Sequence, residues 1–281
     1  GFEGELNSKQ INAVKDMKNV VYEGFRKVVS KYREKNNFGI LVDEQFGREI
    51  YHKSQALGVA TCETVEKSGQ KEFDFEYGSK FKEHIQRVDP VYVKVLVRYN
   101  PANKELNKKQ TLRLKRLSDY CMKTNRLLLF ELLVPPTDAE LKAVKNNKTA
   151  YDKKKRVQNT AKAIKELGKD LYVDIWKLEG FDKKSDWENI IEAIKTTKNN
   201  DDFGIVVLGR GENQAKVVLW LKLAAGFSKI TGFAVGRTVF FDPLFKLKEK
   251  KISRKSAVDK IAKNFQYFVN LWLKEKGIKL E

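Results

Sequence analysis

Lys177 and Glu179 stand two residues apart in Leu171-Tyr-Val-Asp-Ile-Trp-Lys177-Leu-Glu179-Gly180, a stretch with apolar or aromatic side chains at six positions. Such a run reads as a short buried strand. Alternation along a strand sends Ile175, Lys177 and Glu179 to one face and Asp174, Trp176 and Leu178 to the other. An ammonium and a carboxylate on one face of an apolar strand are costly to bury. Two explanations stand side by side. One is a structural ion pair; the other is a reactive amine that burial and a second cation hold neutral.

The second explanation needs partners, and two strand-like runs supply them. Lys94 lies in Val91-Tyr-Val-Lys94-Val-Leu-Val-Arg98, and Glu131 lies in Leu127-Leu-Leu-Phe-Glu131-Leu-Leu-Val-Pro-Pro136. Two lysines brought together repel, which favours the neutral amine on one of them. A neutral buried lysine can attack a ketone and form an imine, an electron sink for breaking the adjacent carbon–carbon bond. A carboxylate such as Glu131 could then shuttle the proton of the substrate hydroxyl. Farther along, Gly209-Arg210-Gly211 opens a helix and Gly236-Arg237-Thr238 leads to another turn. Backbone N–H groups at a helix N-terminus, with arginine, bind phosphate. Together these residues describe a Schiff-base enzyme for a phosphorylated sugar, with no cofactor and no metal.

The elements that must position them follow from the periodicities. Strand-like runs at 38–43, 59–66, 91–98, 127–134, 171–180, 203–209 and 230–236 alternate with helical patterns, and no hairpin dipeptide joins neighbours. Parallel strands with helical crossovers are required. Helices are expected over 8–35, near 49–57, 77–87, 104–125, 138–144, 151–167, 187–198 and 213–225, and over 254–274. Polar residues recur at the C-terminal ends of the strands: Asp43, Glu66, Arg98, Glu131, Lys177, Arg210 and Arg237. In a (β/α)8 barrel that end is the active-site face. A doubly wound sheet is the other architecture, but no Gly-x-Gly-x-x-Gly turn follows an early strand. The expected fold is therefore α/β, a TIM barrel formed as a single domain over residues 1–281.

Composition excludes several classes. The net charge of +19 suits a nucleic-acid binder, yet the lysines alternate with Glu and Asp on amphipathic segments such as 152–169. That pattern reads as solvated helix faces, so neither nucleic acid nor membrane is expected as a partner. Cys62 and Cys121 lack metal-ligand spacing and read as free thiols of a reducing compartment. His52 and His84 fall in helical segments and are expected at the surface, not as metal ligands. No apolar run approaches a membrane span, and a cytoplasmic protein is expected. Phe265, Phe268, Leu271 and Trp272 on the last helix fit core packing or the contact of a homo-oligomer.

Six motifs in combination carry a family resemblance: Asp43-Glu-Gln-Phe-Gly47, Val93-Lys94-Val-Leu-Val-Arg-Tyr99, Phe130-Glu131-Leu-Leu-Val-Pro-Pro136, Asp174-Ile-Trp-Lys177-Leu-Glu179-Gly180, Val207-Leu-Gly-Arg-Gly211 and Gly232-Phe-Ala-Val-Gly-Arg237. From about Asn19 to Leu244 the sequence resembles the aldolase-like domain of bacterial myo-inositol catabolism proteins, which follows a 5-dehydro-2-deoxygluconokinase domain or stands alone. More distantly it is similar to the tagatose-1,6-bisphosphate and sulfofructose-phosphate class I aldolases. The resemblance implies a (β/α)8 barrel with Lys177 as the imine-forming lysine, Lys94 as the accessory lysine and Glu131 as the acid/base carboxylate. It implies phosphate-binding loops at Gly209, Arg210, Gly211, Gly236 and Arg237, with Asp43, Arg98 and Glu179 as further substrate contacts. The implied reaction is cleavage of a phosphorylated keto-sugar or keto-sugar acid, with 5-dehydro-2-deoxygluconate 6-phosphate as the candidate. A tagatose-bisphosphate-like or sulfofructose-phosphate-like aldolase and a non-catalytic sugar-phosphate-binding barrel are the alternatives. The family's first strand carries an Asp-His-Arg or Asp-Gln-Arg motif, and the given sequence starts beyond it, so a barrel without its first strand is expected.

Overall fold

The computed structural model describes residues 6–279. Its centre is a parallel sheet of seven strands in strict chain order: β1 (Gly39–Leu41), β2 (Ala60–Thr64), β3 (Tyr92–Arg98), β4 (Leu127–Leu133), β5 (Ile175–Glu179), β6 (Gly204–Leu208) and β7 (Ile230–Ala234). The sheet curls, with helices around it, in the manner of a TIM barrel. Sequential parallel order follows from the crossovers, because each strand must be followed by a chain long enough to return to the same end. β1 and β7 are the edges, and no pairing joins them among the described residues.

The helices are α1 (Ser8–Val29), ahead of β1; α2 (Glu44–Ala56), α3 (Phe81–Val88), α4 (Lys104–Lys123), α5 (Asp138–Ala143), α6 (Lys148–Tyr151), α7 (Val157–Leu167), α8 (Lys184–Lys195) and α9 (Gln214–Ala225), between strands; and α10 (Arg237–Lys248) and α11 (Arg254–Lys276), after β7. Short polar residues start them: Asn7, Asp43, Thr137, Asn147, Asn213 and Ser253 each accept a backbone N–H of the first turn. Asp43-Glu-Gln-Phe-Gly47 is thus the start of α2 and not a loop. Gly236-Arg237-Thr238 leads not to a turn but into a helix at 237–248, which carries Pro243 in its interior, a position that normally disfavours a helix.

The outward face of the central strands makes the main core. Val93, Val95, Val97, Leu128, Phe130, Leu132, Trp176, Leu178, Ile205 and Val207 pack with residues of α4, α7, α8 and α9 in one apolar cluster. A second cluster joins Phe25 and Val28 of α1, Phe38 and Val42 flanking β1, and Val269 of α11, with Ile40 of β1, Phe233 of β7 and Phe265 against it. The first and last long helices thus pack together at the sheet's two edges. Gly24 permits the close approach, since a Cβ there would lie 2.6 Å from Cγ2 of Ile261. Phe268 and Trp272 are buried, as the core reading of the last helix requires.

Candidate active site

Parallel register fixes which side chains share the concave face. Thr64 pairs with Lys94, Lys94 with Leu129, and Glu131 with Lys177, and registered partners in a parallel sheet project to the same side. Lys94, Glu131 and Lys177 therefore converge from β3, β4 and β5. Glu131 Oε2 accepts from Lys177 Nζ at 2.9 Å and lies 3.1 Å from Lys94 Nζ. Lys94 in turn donates to Oε1 of Glu66, just beyond β2. The result is an alternating chain, Glu66–Lys94–Glu131–Lys177, in which Lys94 is 4% and both Glu131 and Lys177 are 8% exposed.

Burial and charge pull in opposite directions here. Burial pushes Glu131 up, but the ammonium groups of Lys177 and Lys94 outweigh it and hold the carboxyl below its ordinary range. Burial likewise works against the Lys94 cation, yet Glu66 and Glu131 together raise its proton affinity. For Glu66 burial wins over Lys94, and its carboxyl is pushed up. Lys94 is thus a fixed cation between two carboxylates. Oε2 of Glu66 is buried without a hydrogen-bond partner. Glu66 shares the strand-end position of the other polar residues, and that was the one signal that marked it.

A second charged group sits at the end of β5. Glu179 Oε1 lies 2.8 Å from Arg210 Nε, and Asp152 Oδ2 lies 2.5 Å from the same guanidinium. Arg156 donates to Gly180 O at 2.8 Å, lies 3.5 Å from Glu179 and covers the Phe181 ring at 4.7 Å. Asp152 and Arg156 bound a π-helical turn between α6 and α7. The wider turn brings both side chains onto Glu179 and Arg210; such turns often mark functional positions. Their sequence, Asp-Lys-Lys-Lys-Arg, reads as a solvated helix face, which is why they escaped notice.

Gly209, Arg210 and Gly211 link β6 to α9. Arg210 and Gly211 both take left-handed backbone, at φ 53° and 77°. The positive φ of Gly211 favours glycine, and a Cβ there would lie 2.7 Å from the Arg237 guanidinium, the mobile end of its side chain. Arg237 donates to Arg210 O at 3.0 Å, and Gly236 caps α10. The two loops therefore touch. Arg210 is already engaged by two carboxylates, whereas Arg237 is exposed beside the N-terminus of α10.

Two of the expected contacts, Asp43 and Arg98, are held by other groups. Asp43 caps α2 and is 2.5 Å from Lys18; Arg98 donates to the Gln70 carbonyl at 2.9 Å. Neither bonds to the lysine chain. His84 is a correction: it is 1% exposed, not a surface residue, and lies 3.3 Å from Glu44 and 3.8 Å from Glu63. His52 is exposed. Both cysteines are free thiols, and burial pushes each to about 12.

Residues 4–276 match the sequence profile of the family described as "Uncharacterized protein conserved in bacteria (DUF2090)". The chain belongs to DUF2090. Comparison of this DUF2090 chain with curated proteins finds no match. Among solved structures it is similar to fructose-bisphosphate aldolase of Plasmodium falciparum, solved in complex with TRAP and a small-molecule inhibitor. That pair has 12% identity, a TM-score of 0.57 and 98% coverage of both chains. The YdjI aldolase of Escherichia coli K12 aligns at 11% identity over 92% of this chain and 90% of its own, with a TM-score of 0.55. Cgl0159 of Corynebacterium glutamicum aligns at 14% over 88% and 76%, with a TM-score of 0.53. At such identities the likeness is one of fold, and the fold is the barrel-like one. No helix among the described residues is long and apolar enough to cross a membrane.

Proposed function

We propose that this DUF2090 chain is a class I aldolase acting on a phosphorylated keto-sugar or keto-sugar acid. The observation that carries the proposal is the pair of buried lysines that share one oxygen of Glu131 on the concave face. Lys177 in its neutral form attacks the substrate ketone, water leaves, and a cationic imine forms on Nζ. Glu131, in contact with that nitrogen, takes the proton of the substrate hydroxyl as the carbon–carbon bond breaks. The bonding electrons pass into the imine and leave an enamine. Lys94 stays charged throughout and keeps Glu131 ready to accept.

The names of two structural neighbours, both aldolases, agree with this reading. So does the resemblance of the six motifs, which favours 5-dehydro-2-deoxygluconate 6-phosphate as substrate, cleaved to dihydroxyacetone phosphate and malonate semialdehyde. For the phosphate, the N-terminus of α10 with Arg237 is the better candidate, because Asp152 and Glu179 already neutralise Arg210. The seam between β7 and β1 is where a further strand would close a complete barrel.

Borohydride trapping tests the proposal. The protein is incubated with dihydroxyacetone phosphate, reduced, and read by intact and peptide mass. An adduct on Lys177 is expected. An adduct on Lys94 would exchange the roles of the two lysines. Binding of dihydroxyacetone phosphate with no adduct would instead favour a sugar-phosphate-binding barrel.

A further inference from the structure

We propose that Glu66 is the far terminus of a proton path that sets the reactive form of Lys177, acting through Lys94 and Glu131. The inference rests on the aldolase reading above for its purpose, but its geometry stands alone. Four side chains, three from the neighbouring strands β3, β4 and β5 and one from just beyond β2, touch in sequence, and their formal charges alternate. One oxygen of the last carboxylate, Glu66 Oε2, is buried with no hydrogen-bond partner. A buried carboxylate oxygen without a donor is costly, because water that would solvate the anion has been removed. Protonation of Glu66 lowers that cost, because the neutral acid carries no charge for water to solvate.

The proton count makes the consequence definite. With all four groups ionised, the chain holds two ammonium and two carboxylate groups and is neutral as a whole. Lys177 then has no lone pair with which to attack. One proton passes from Lys177 Nζ to Glu131 Oε2, Glu131 returns a proton to Lys94, and Lys94 delivers its own to Glu66 Oε1. Only N–H and O–H bonds change. The product state is Glu66 as neutral acid, Lys94 cation, Glu131 anion and Lys177 as free amine. The chain is again neutral overall, so the buried site gains no charge. Loss of the same proton to solvent would leave a net negative charge in the interior. When the imine forms and becomes cationic, the proton returns by the same route. Burial pushes Glu66 up, so the far end of the chain is receptive to a proton.

The titratable groups around Glu66 are few. Lys94 and Glu131 face it from β3 and β4, and Cys62 and Glu63 lie on its own strand. On the other side Glu66 bridges the backbone of Phe75, which brings no charge. Cys62, pushed to about 12, stays neutral through the range that matters.

Glu66→Gln tests the path, since the amide has the shape of the protonated acid and cannot ionise. The full chain is acetylated with acetic anhydride from about pH 6 to about pH 10, and labelling at Lys177 is read by peptide mass. Removing the negative charge favours the free amine. The half-point of labelling is expected to move about one pH unit toward acid, and the acid limb of borohydride trapping to move with it. Glu66→Asp keeps the charge and is expected to keep the wild-type half-point. A Glu66→Gln profile that overlays wild type, or equal shifts in both variants, would overturn the proposal. A labelling shift without any wild-type adduct would support the proton path and overturn the aldolase reading.

Discussion

Two groups of buried carboxylates lie on opposite faces of the same sheet and meet opposite solutions. On the concave face, Glu66 and Glu131 alternate with Lys94 and Lys177, so each anion touches a cation. Between the sheet and the helices, Glu63 is 2% exposed and faces Glu44, Asp43 and His84. Burial holds His84 below its ordinary value, so it supplies little positive charge despite the pull of Glu44. Arg87 binds Glu44 at 2.8 Å and not Glu63. Burial therefore pushes Glu63 to about 8, and the like charges of Asp43 and Glu44 add to it, against the one backbone N–H of Glu44. Burial alone does not make a reactive site. The concave face differs in having cations enough to keep Glu131 ionised and one amine that can be spared.

The comparison can be broken most directly at Lys177. Lys177→Met should abolish borohydride-trapped adduct and turnover; activity that survives in this variant would sink the mechanism. Next in size, Glu131→Gln should lower the rate of carbon–carbon cleavage by about 10²–10⁴-fold, the usual value of a positioned acid/base. Removing the anion that two buried ammonium groups share should also destabilise the fold, by about 3–5 kcal/mol; single-turnover kinetics on the folded fraction separate the two effects.

The outer group predicts stability instead of rate. Glu63 holds a proton in the folded chain up to about pH 8 but releases it near 4.5 when exposed. The folded state therefore binds more protons between those values, and stability falls as pH rises across that window. Glu63→Gln should gain on the order of 1–3 kcal/mol in urea unfolding above pH 8 and almost nothing near pH 5. An equal gain at both pH values would contradict the assignment. The smallest effect sharpens the contrast: the same variant should leave the rate of adduct formation on Lys177 within about twofold, since Glu63 projects away from the concave face.

Much of this was legible in the sequence. Alternation alone put Lys177 and Glu179 on one face and Trp176 and Leu178 in the core, as found. The absence of hairpin dipeptides required parallel order, and the strand ends collected the polar residues. Three things were not legible. The meeting of Asp152 and Arg156 with Glu179 depends on a π turn, which leaves no distinct signature in a lysine-rich segment. The burial of His84 depends on Tyr77, whose ring lies 4.1 Å from the imidazole, and on α3 packing over β2. The partner of Lys94 was hidden because Glu66 follows β2, where strand alternation no longer dictates direction.

The packing of α1 on α11 has a mechanical meaning. A seven-strand ribbon with two free edges has no closed hoop to hold its curvature, and these helices act as a clasp across the opening. The tilted rings of Phe25 and Phe265 meet at 5.5 Å within it, and Arg254 ties it to Asp16 and Glu23, each at 2.6 Å. Side chains on the inside of a bend crowd together as the bend tightens. The clasp holds β1 and β7, the two ends of the curve at whose middle Lys94, Glu131 and Lys177 meet.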